Sequence, residues 1–273
     1  MKNEFIYGGH IFALCAVSIV LLASILLDVL VTIDFLAIIY LIFYAIYLND
    51  HFKDMKTDVL TNTQRVTYLK KNKKIPLLIF ISVVASELLL FYFGSITGLF
   101  LGSVIIILGL FYSKCFKKIT RRIAAFKNFF VALVWSVLVF YLFIYYSYFF
   151  TYETIFVAVF IFLRIFIIQI LLDIRDIKSD RKEKLLTIPI LFGKETSIKI
   201  IVYLNILGFL LLFYGIYLGI LSNVFLLLFL VFLYSFYYIN KLKSIENNNM
   251  FYFLAAIEPI VLLIFVLIGN FLL

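Results

Sequence analysis

The sequence has 273 residues, of which 66% are hydrophobic and only 14% are charged, and its formal net charge at pH 7 is +9. A soluble domain is nearer half apolar and about a quarter charged, so this composition excludes a soluble fold. Since a membrane-spanning helix uses about 20 apolar residues, the apolar content allows about nine spans and leaves few residues for loops. We therefore expect residues 1–273 to form a single membrane-embedded domain.

Nine apolar segments follow one another along the chain and predict membrane-spanning helices. They cover residues 11–30, 33–48, 75–94, 96–113, 124–148, 154–172, 197–219, 221–240 and 250–273. In lipid every backbone polar group must pair within the protein, which favours a helix over each segment. Gly8, Gly9 and His10 precede the first segment in place of a charged leader, so we interpret it as a span. The predicted fold class is all-α, a polytopic membrane protein with a nine-transmembrane-helix bundle.

The 24 Lys and Arg residues are concentrated on one side of the predicted bundle. Most lie in the connections 49–74, 114–127 and 173–199, whereas the connections that alternate with these contain none. Positively charged loops stay in the cytoplasm, so we predict a cytoplasmic N terminus and an external C terminus in the cell membrane. Basic residues in membrane loops favour contact with membrane lipids and do not indicate nucleic-acid binding.

Two groups of three aspartates follow the second and sixth predicted spans. They are Asp50, Asp54 and Asp58 after span two, and Asp173, Asp176 and Asp180 after span six. Steps of three or four place each triplet on one helix face, at the cytoplasmic membrane surface. Clustered like charges need a counter-charge, and Mg²⁺ prefers carboxylate and phosphate oxygens. Two facing triplets predict a site that holds a diphosphate through Mg²⁺; the alternative is two solvated helix ends.

The apolar bundle limits the kind of substrate. A diphosphate site that opens into it suits a molecule with a long hydrocarbon tail, since each buried CH₂ contributes about 0.8 kcal/mol. A polyprenyl diphosphate has both parts. Its diphosphate leaves more readily when Mg²⁺ neutralises it, so the allylic C–O bond ionises and an acceptor captures the carbocation. Aromatic side chains, 19% of the chain, stabilise such a cation through their ring faces.

Longer patterns surround both triplets. After span six the pattern is D-x-x-D-x-x-x-D-R, formed by Asp173, Asp176, Asp180 and Arg181, followed by Thr187, Ile188, Pro189, Ile190 and Gly193. Other patterns contain Asn62 and Arg65 after the first triplet, and Tyr112, Ser113, Lys117, Lys118 and Asn128 between spans four and five. Over nearly the whole chain, these patterns resemble the UbiA superfamily of intramembrane prenyltransferases.

The resemblance implies a role for each of these residues. Asp54, Asp58 and the three aspartates after span six are implied to be catalytic and to hold Mg²⁺ and a prenyl diphosphate, with Asp50 as a further metal ligand. Tyr112 and Asn128 are candidate cavity residues. The acceptor is expected to be lipophilic: a quinone precursor, a glycerol-phosphate lipid or a porphyrin-type ring. The residues expected to contact the diphosphate are Asn49, Arg65, Lys117, Lys118 and Arg181.

The sequence departs from the family pattern at three places. Asp50 stands where the family has asparagine, Lys184 stands where glycine is common, and the arginine and proline often found before the first span are missing. An atypical or inactive lipid-binding member, or a transporter, is therefore the alternative to an active enzyme. A CDP-alcohol phosphotransferase is not favoured, because Ile177 stands where that family's motif has glycine.

Three charged residues, Glu87, Arg164 and Glu258, lie away from the ends of the apolar segments, where an unpaired charge is costly. The depths of Arg164 and Glu87 predict that these two form an ion pair. Glu258, in the cytoplasmic half of span nine, is instead expected to line the substrate cavity. His51, inside the first triplet, is interpreted as an interfacial residue rather than a base, because ionisation of an allylic diphosphate needs no imidazole.

Overall fold

The computed structural model describes residues 2–59, 62–112, 116–244 and 249–272, and all regular secondary structure in these ranges is helical. The helices of the first half are α1 (Lys2–Tyr7), α2 (His10–Leu26), α3 (Ile33–Lys53), α4 (Met55–Asp58), α5 (Thr63–Lys71), α6 (Ile75–Phe93), α7 (Ile96–Phe111) and α8 (Lys117–Thr120). Those of the second half are α9 (Phe126–Tyr145), α10 (Tyr152–Glu183), α11 (Ile188–Tyr217), a 3₁₀ helix at Asn223–Phe229, α12 (Leu230–Ser244), α13 (Asn249–Ala256) and α14 (Glu258–Leu272).

Six of the described helical segments are long and apolar enough to cross a membrane: α3, α6, α9, α10, α11 and Val224–Lys241. The pair α13 and α14, bent by 57°, makes a seventh if it is one span. With 17 and 16 residues, α2 and α7 are only about 25 Å long, shorter than a hydrocarbon core of about 30 Å. The prediction of an all-helical, multi-pass membrane protein is confirmed, but the count of nine spans is not.

Helix α10 is central to the bundle and carries the second aspartate triplet. It packs most extensively against α9 and α11, and its face between Thr154 and Leu172 is largely buried. Thr151 begins the helix with a capping box, in which its side chain and that of Thr154 bond the backbone amides reciprocally. The 32 residues extend about 48 Å, beyond a hydrocarbon core of about 30 Å. The excess length places Asp173–Asp180 in continuous helix at one end of the bundle.

Helix α10 ends at Lys184, which adopts a left-handed conformation with φ of 57°. The backbone then turns, and the Leu185 amide donates to the Asp180 carbonyl at 2.9 Å. Glycine is favoured in this conformation because it has no Cβ, which gives a physical reason for the glycine common at this point of the family pattern. Lys184 makes the same turn with a side chain, at a steric cost.

Arg164, at the centre of α10, forms an ion pair with Glu258 and not with Glu87. Its Nε and Nη2 donate to the two carboxylate oxygens of Glu258 at 2.8 and 2.7 Å, and both side chains are buried. Tyr238 donates to the same carboxylate, and Arg164 also donates to Asn205.

The predicted Arg164–Glu87 pair is therefore wrong. Glu87 lies on α6, which packs against α3 and α7, and it accepts a hydrogen bond from Ser103. Similar depth in the membrane did not determine which helices are neighbours. Glu258, which was expected at the substrate cavity, is fully buried in the pair with Arg164 and is not among the residues that line the cavity described below.

Candidate active site

Both aspartate triplets line one cavity of about 180 Å³ at the end of the bundle. Helices α2, α3, α4, α5, α7, α9 and α10 contribute residues to its lining. The charged residues of the lining are Asp50, Asp54, Asp58, Arg65, Lys127, Asp173, Arg175, Asp176, Asp180 and Glu183. All six aspartates singled out from the sequence thus face the same space.

The first triplet keeps its helical spacing across the junction of α3 and α4. The Asp54 amide donates to the Asp50 carbonyl and the Asp58 amide to the Asp54 carbonyl, each at 2.9 Å. Asp58 accepts a hydrogen bond of 2.6 Å from Arg65 Nη2. Burial raises the pKa of the Asp58 carboxyl, and the Arg65 guanidinium partly offsets this effect. The side chain of Asn62 caps the N terminus of α5: its Oδ1 accepts a hydrogen bond of 3.2 Å from the backbone amide of Arg65. The cap of α5 therefore helps to position Arg65.

The second triplet is tied to α9 by Lys127 and Asn128. Lys127 Nζ lies 2.6 Å from Asp173 Oδ1 and 3.6 Å from Asp180 Oδ1. Asn128 donates to Asp173 Oδ2 at 2.7 Å, and Thr187 donates to Asp180 Oδ2 at 3.2 Å. Asn128 and Thr187, which belong to the pattern between spans four and five and to the motif after span six, therefore support the carboxylates directly.

Asp176 has a different partner. The neighbouring Arg175 donates from Nε and Nη2 to its two oxygens at 2.9 and 2.8 Å. Three cations of the cavity lining, Arg65, Lys127 and Arg175, thus pair with four of the six aspartates. Among the described residues of the lining, carboxylates outnumber basic side chains by seven to three.

The chemistry of the lining suits Mg²⁺, because six carboxylates supply the hard oxygen donors that this ion prefers. Within the described ranges, however, no three acidic, His or Cys side chains come close enough together to hold a metal ion. The charge pairs explain this arrangement, since the carboxylates of Asp58, Asp173, Asp176 and Asp180 each contact a basic side chain.

The other predicted site residues lie at different distances from the cavity. Tyr112 lines it, whereas Asn49 donates to the Leu110 carbonyl and is not part of the lining. Lys118 and Arg181 are exposed and do not line it. Ser113 and the side chain of Lys117 are outside the described part of the structure.

Sequence reasoning missed Lys127 and Arg175, which it counted only among the basic loop residues. The signal available for Lys127 was its position directly before Asn128, and for Arg175 its position directly before Asp176. His51, interpreted as an interfacial residue, is buried on the cavity wall, where Nδ1 lies 3.3 Å from the Tyr7 carbonyl oxygen.

Aromatic side chains line the cavity on its membrane side. Trp135 donates from Nε1 to the Tyr47 hydroxyl at 3.0 Å and packs edge-on against Phe43, with ring centroids 5.1 Å apart. Phe12 stacks on Tyr47 with centroids 4.3 Å apart. From Asp54 to Phe43 the cavity follows α3 for about 16 Å. It therefore combines a charged mouth with an apolar, aromatic interior.

The fold and the site define a multi-pass membrane protein with an aspartate-lined cavity. Comparison with known proteins identifies its family. Residues 11–257 match the model of the UbiA prenyltransferase family. The chain therefore belongs to this family, whose activity is prenyl transfer. No curated protein matched the sequence significantly.

Solved structures of UbiA proteins share the fold at low sequence identity. A UbiA homologue from Archaeoglobus fulgidus bound to GPP and Mg²⁺ has 13% identity and a TM-score of 0.71, with 97% of this chain and 98% of that chain covered. An apo UbiA homologue from Aeropyrum pernix K1 has 14% identity and a TM-score of 0.71, covering 95% and 98%. A digeranylgeranylglyceryl phosphate synthase has 17% identity and a TM-score of 0.57, covering 98% and 97%.

Proposed function

We propose that the protein is a Mg²⁺-dependent intramembrane prenyltransferase that transfers a polyprenyl group from its diphosphate to a lipophilic acceptor. The observation that carries the proposal is the single cavity in which six aspartates and three basic side chains meet an aromatic, apolar interior. A diphosphate head and a hydrocarbon tail need these two environments side by side. The A. fulgidus homologue with bound GPP and Mg²⁺ supports the choice of donor and cation.

Each part of the cavity has a chemical role in this proposal. The six aspartates hold Mg²⁺, which supplies positive charge to the departing diphosphate. Arg65, Lys127 and Arg175 contact the diphosphate oxygens. The allylic C–O bond breaks with its electron pair on the diphosphate, and the aromatic faces near Trp135 and Tyr47 shield the carbocation from water. The acceptor then forms the new bond to carbon and loses a proton.

Cytoplasmic orientation of the cavity and N terminus, with the C terminus outside, is part of the proposal. Its support is the distribution of Lys and Arg, which are concentrated in the connections at the aspartate end of the bundle. A reporter enzyme that is active only outside the cytoplasm, fused to the C terminus, tests this orientation. An active reporter is expected, and activity only of a cytoplasmic reporter would contradict it.

The direct test of function is incubation of the purified protein with labelled geranylgeranyl diphosphate, Mg²⁺ and a panel of acceptors. The panel contains an aromatic quinone precursor, a glycerol-phosphate lipid and a porphyrin-type ring. We expect diphosphate release and a labelled lipophilic product, both abolished by EDTA and restored by Mg²⁺. Binding of geranylgeranyl diphosphate without release of diphosphate, whichever acceptor is present, would instead favour the lipid-binding alternative.

A further inference from the structure

Lys127 makes a bridge that the motif residues alone do not suggest. Its single ammonium contacts the first and third aspartates of the second triplet, at 2.6 Å from Asp173 and 3.6 Å from Asp180. These carboxylates expose only 2% and 5% of their side chains. A cation therefore already occupies the point at which the two carboxylates converge.

Such a bridge affects any second cation. Buried carboxylates are costly without a counter-charge, and Lys127 supplies one covalently attached to the protein. A divalent ion that approaches Asp173 and Asp180 meets the repulsion of this ammonium or must displace it. Arg65 and Arg175 have the same effect at Asp58 and Asp176, but among the described ion pairs each of them contacts a single aspartate.

Diphosphate changes this balance. It is an anion with many acceptor oxygens, and the ammonium of Lys127 lines the cavity on a flexible four-carbon side chain with 20% of its surface exposed. When diphosphate enters, Lys127 has a new partner within the same cavity. Asp173 and Asp180 then become available to the metal ion that accompanies the diphosphate.

We propose that Lys127 competes with Mg²⁺ for Asp173 and Asp180, so that free Mg²⁺ binds weakly and Mg²⁺ together with diphosphate binds strongly. This inference rests on the proposed function. Its consequence is coupled binding, in which diphosphate and metal ion each raise the affinity of the other by the same factor. The substrate-free enzyme then holds its aspartates in place without a metal ion.

The experiment measures binding of Mn²⁺, as a paramagnetic probe for Mg²⁺, to the purified full-length protein in detergent by electron paramagnetic resonance. Wild type, Lys127→Met and Lys178→Met are titrated at one pH, with and without inorganic diphosphate, and protein-free titrations correct for Mn²⁺–diphosphate complexes. Lys178 is the matched control, because it lies on α10 within the same triplet, is exposed and does not line the cavity.

Lys127→Met is expected to bind free Mn²⁺ about tenfold or more tightly than wild type, the effect of one unit charge a few ångströms away in a partly hydrated site. Lys178→Met is expected to stay within about twofold of wild type, because an exposed charge is screened. Diphosphate should tighten Mn²⁺ binding more in wild type than in Lys127→Met. Equal free-Mn²⁺ affinities for wild type and Lys127→Met would overturn the competition.

Two features keep the test decisive. If Lys127→Met fails to fold, wild type alone can still refute the inference. Tight binding of free Mn²⁺ to wild type, or no tightening of Mn²⁺ binding by diphosphate, would contradict it. The proposed function fails separately: if no form binds Mn²⁺ with or without diphosphate, the metal–diphosphate site itself is wrong. Mg²⁺-dependent prenyl transfer together with tight binding of free Mn²⁺ would remove only the role of Lys127.

Discussion

Loss of Arg164 alone is expected to destabilise the bundle strongly. The Arg164→Met substitution leaves the Glu258 carboxylate fully buried with the Tyr238 hydroxyl as its remaining described hydrogen-bond donor. Removal of one partner of a buried ion pair costs about 3–5 kcal/mol. For a domain of this size each kcal/mol lowers Tm by about 2–4 °C, so we expect a fall of about 10 °C.

The assay is thermal unfolding in detergent, followed by fluorescence of Trp135, since the chain contains one tryptophan. The double variant Arg164→Met/Glu258→Met should recover most of the loss, because replacing both charges by apolar groups is often nearly neutral. Glu87→Gln is the control from the rejected pairing and should cost about 1 kcal/mol or less, the effect of one hydrogen bond. Wild-type stability of Arg164→Met, or equal losses in Arg164→Met and Glu87→Gln, would refute the assigned pairing.

Three further predictions concern single positions. Lys184→Gly should raise Tm by about 2–4 °C, because glycine adopts the left-handed backbone conformation at the end of α10 without the steric cost of about 1 kcal/mol that a side chain adds. A lower Tm would show that Lys184 causes no such strain. Asn62→Ala should lower the free energy of unfolding by about 1 kcal/mol through loss of the α5 cap, and should raise KM for the donor because Arg65 is displaced. Asn62→Asp should restore the stability. An unchanged KM in Asn62→Ala would show that the cap does not position Arg65 in the site. Trp135→Ala should enlarge the membrane side of the cavity and increase kcat/KM for geranylgeranyl diphosphate relative to geranyl diphosphate; an unchanged ratio would show that Trp135 does not limit the prenyl chain.

The spacing of the aspartates made their common cavity predictable. Steps of three and four residues determine the helix face, and the apolar segments determine the end of the bundle. Lys127 could not be recognised in this way, because its contact with Asp173 crosses from α9 to α10 and depends on how these helices pack. Its position directly before Asn128 was the only local signal, and this position does not show which carboxylates the side chain contacts.

The partner of Arg164 was unpredictable for a related reason. Hydropathy gives the depth of an ionisable residue but not the order of helices around it, so Glu87 and Glu258 were both possible partners. The choice depends on the position of α14, which begins at Glu258 after the bend from α13. Likewise, hydropathy found the apolar segments of α2 and α7 but did not show that their helices have only 17 and 16 residues.

The most direct test of the central claim is Mg²⁺-dependent release of diphosphate from a prenyl diphosphate by Asp54→Asn and Asp176→Asn variants. One substitution lies in each triplet, and both side chains line the same cavity. Each variant is expected to lose at least about 100-fold in kcat, as when a preorganised electrostatic group is removed from an active site, with Tm in detergent close to wild type. Wild-type turnover by either folded variant would show that the cavity between the two triplets is not the catalytic site.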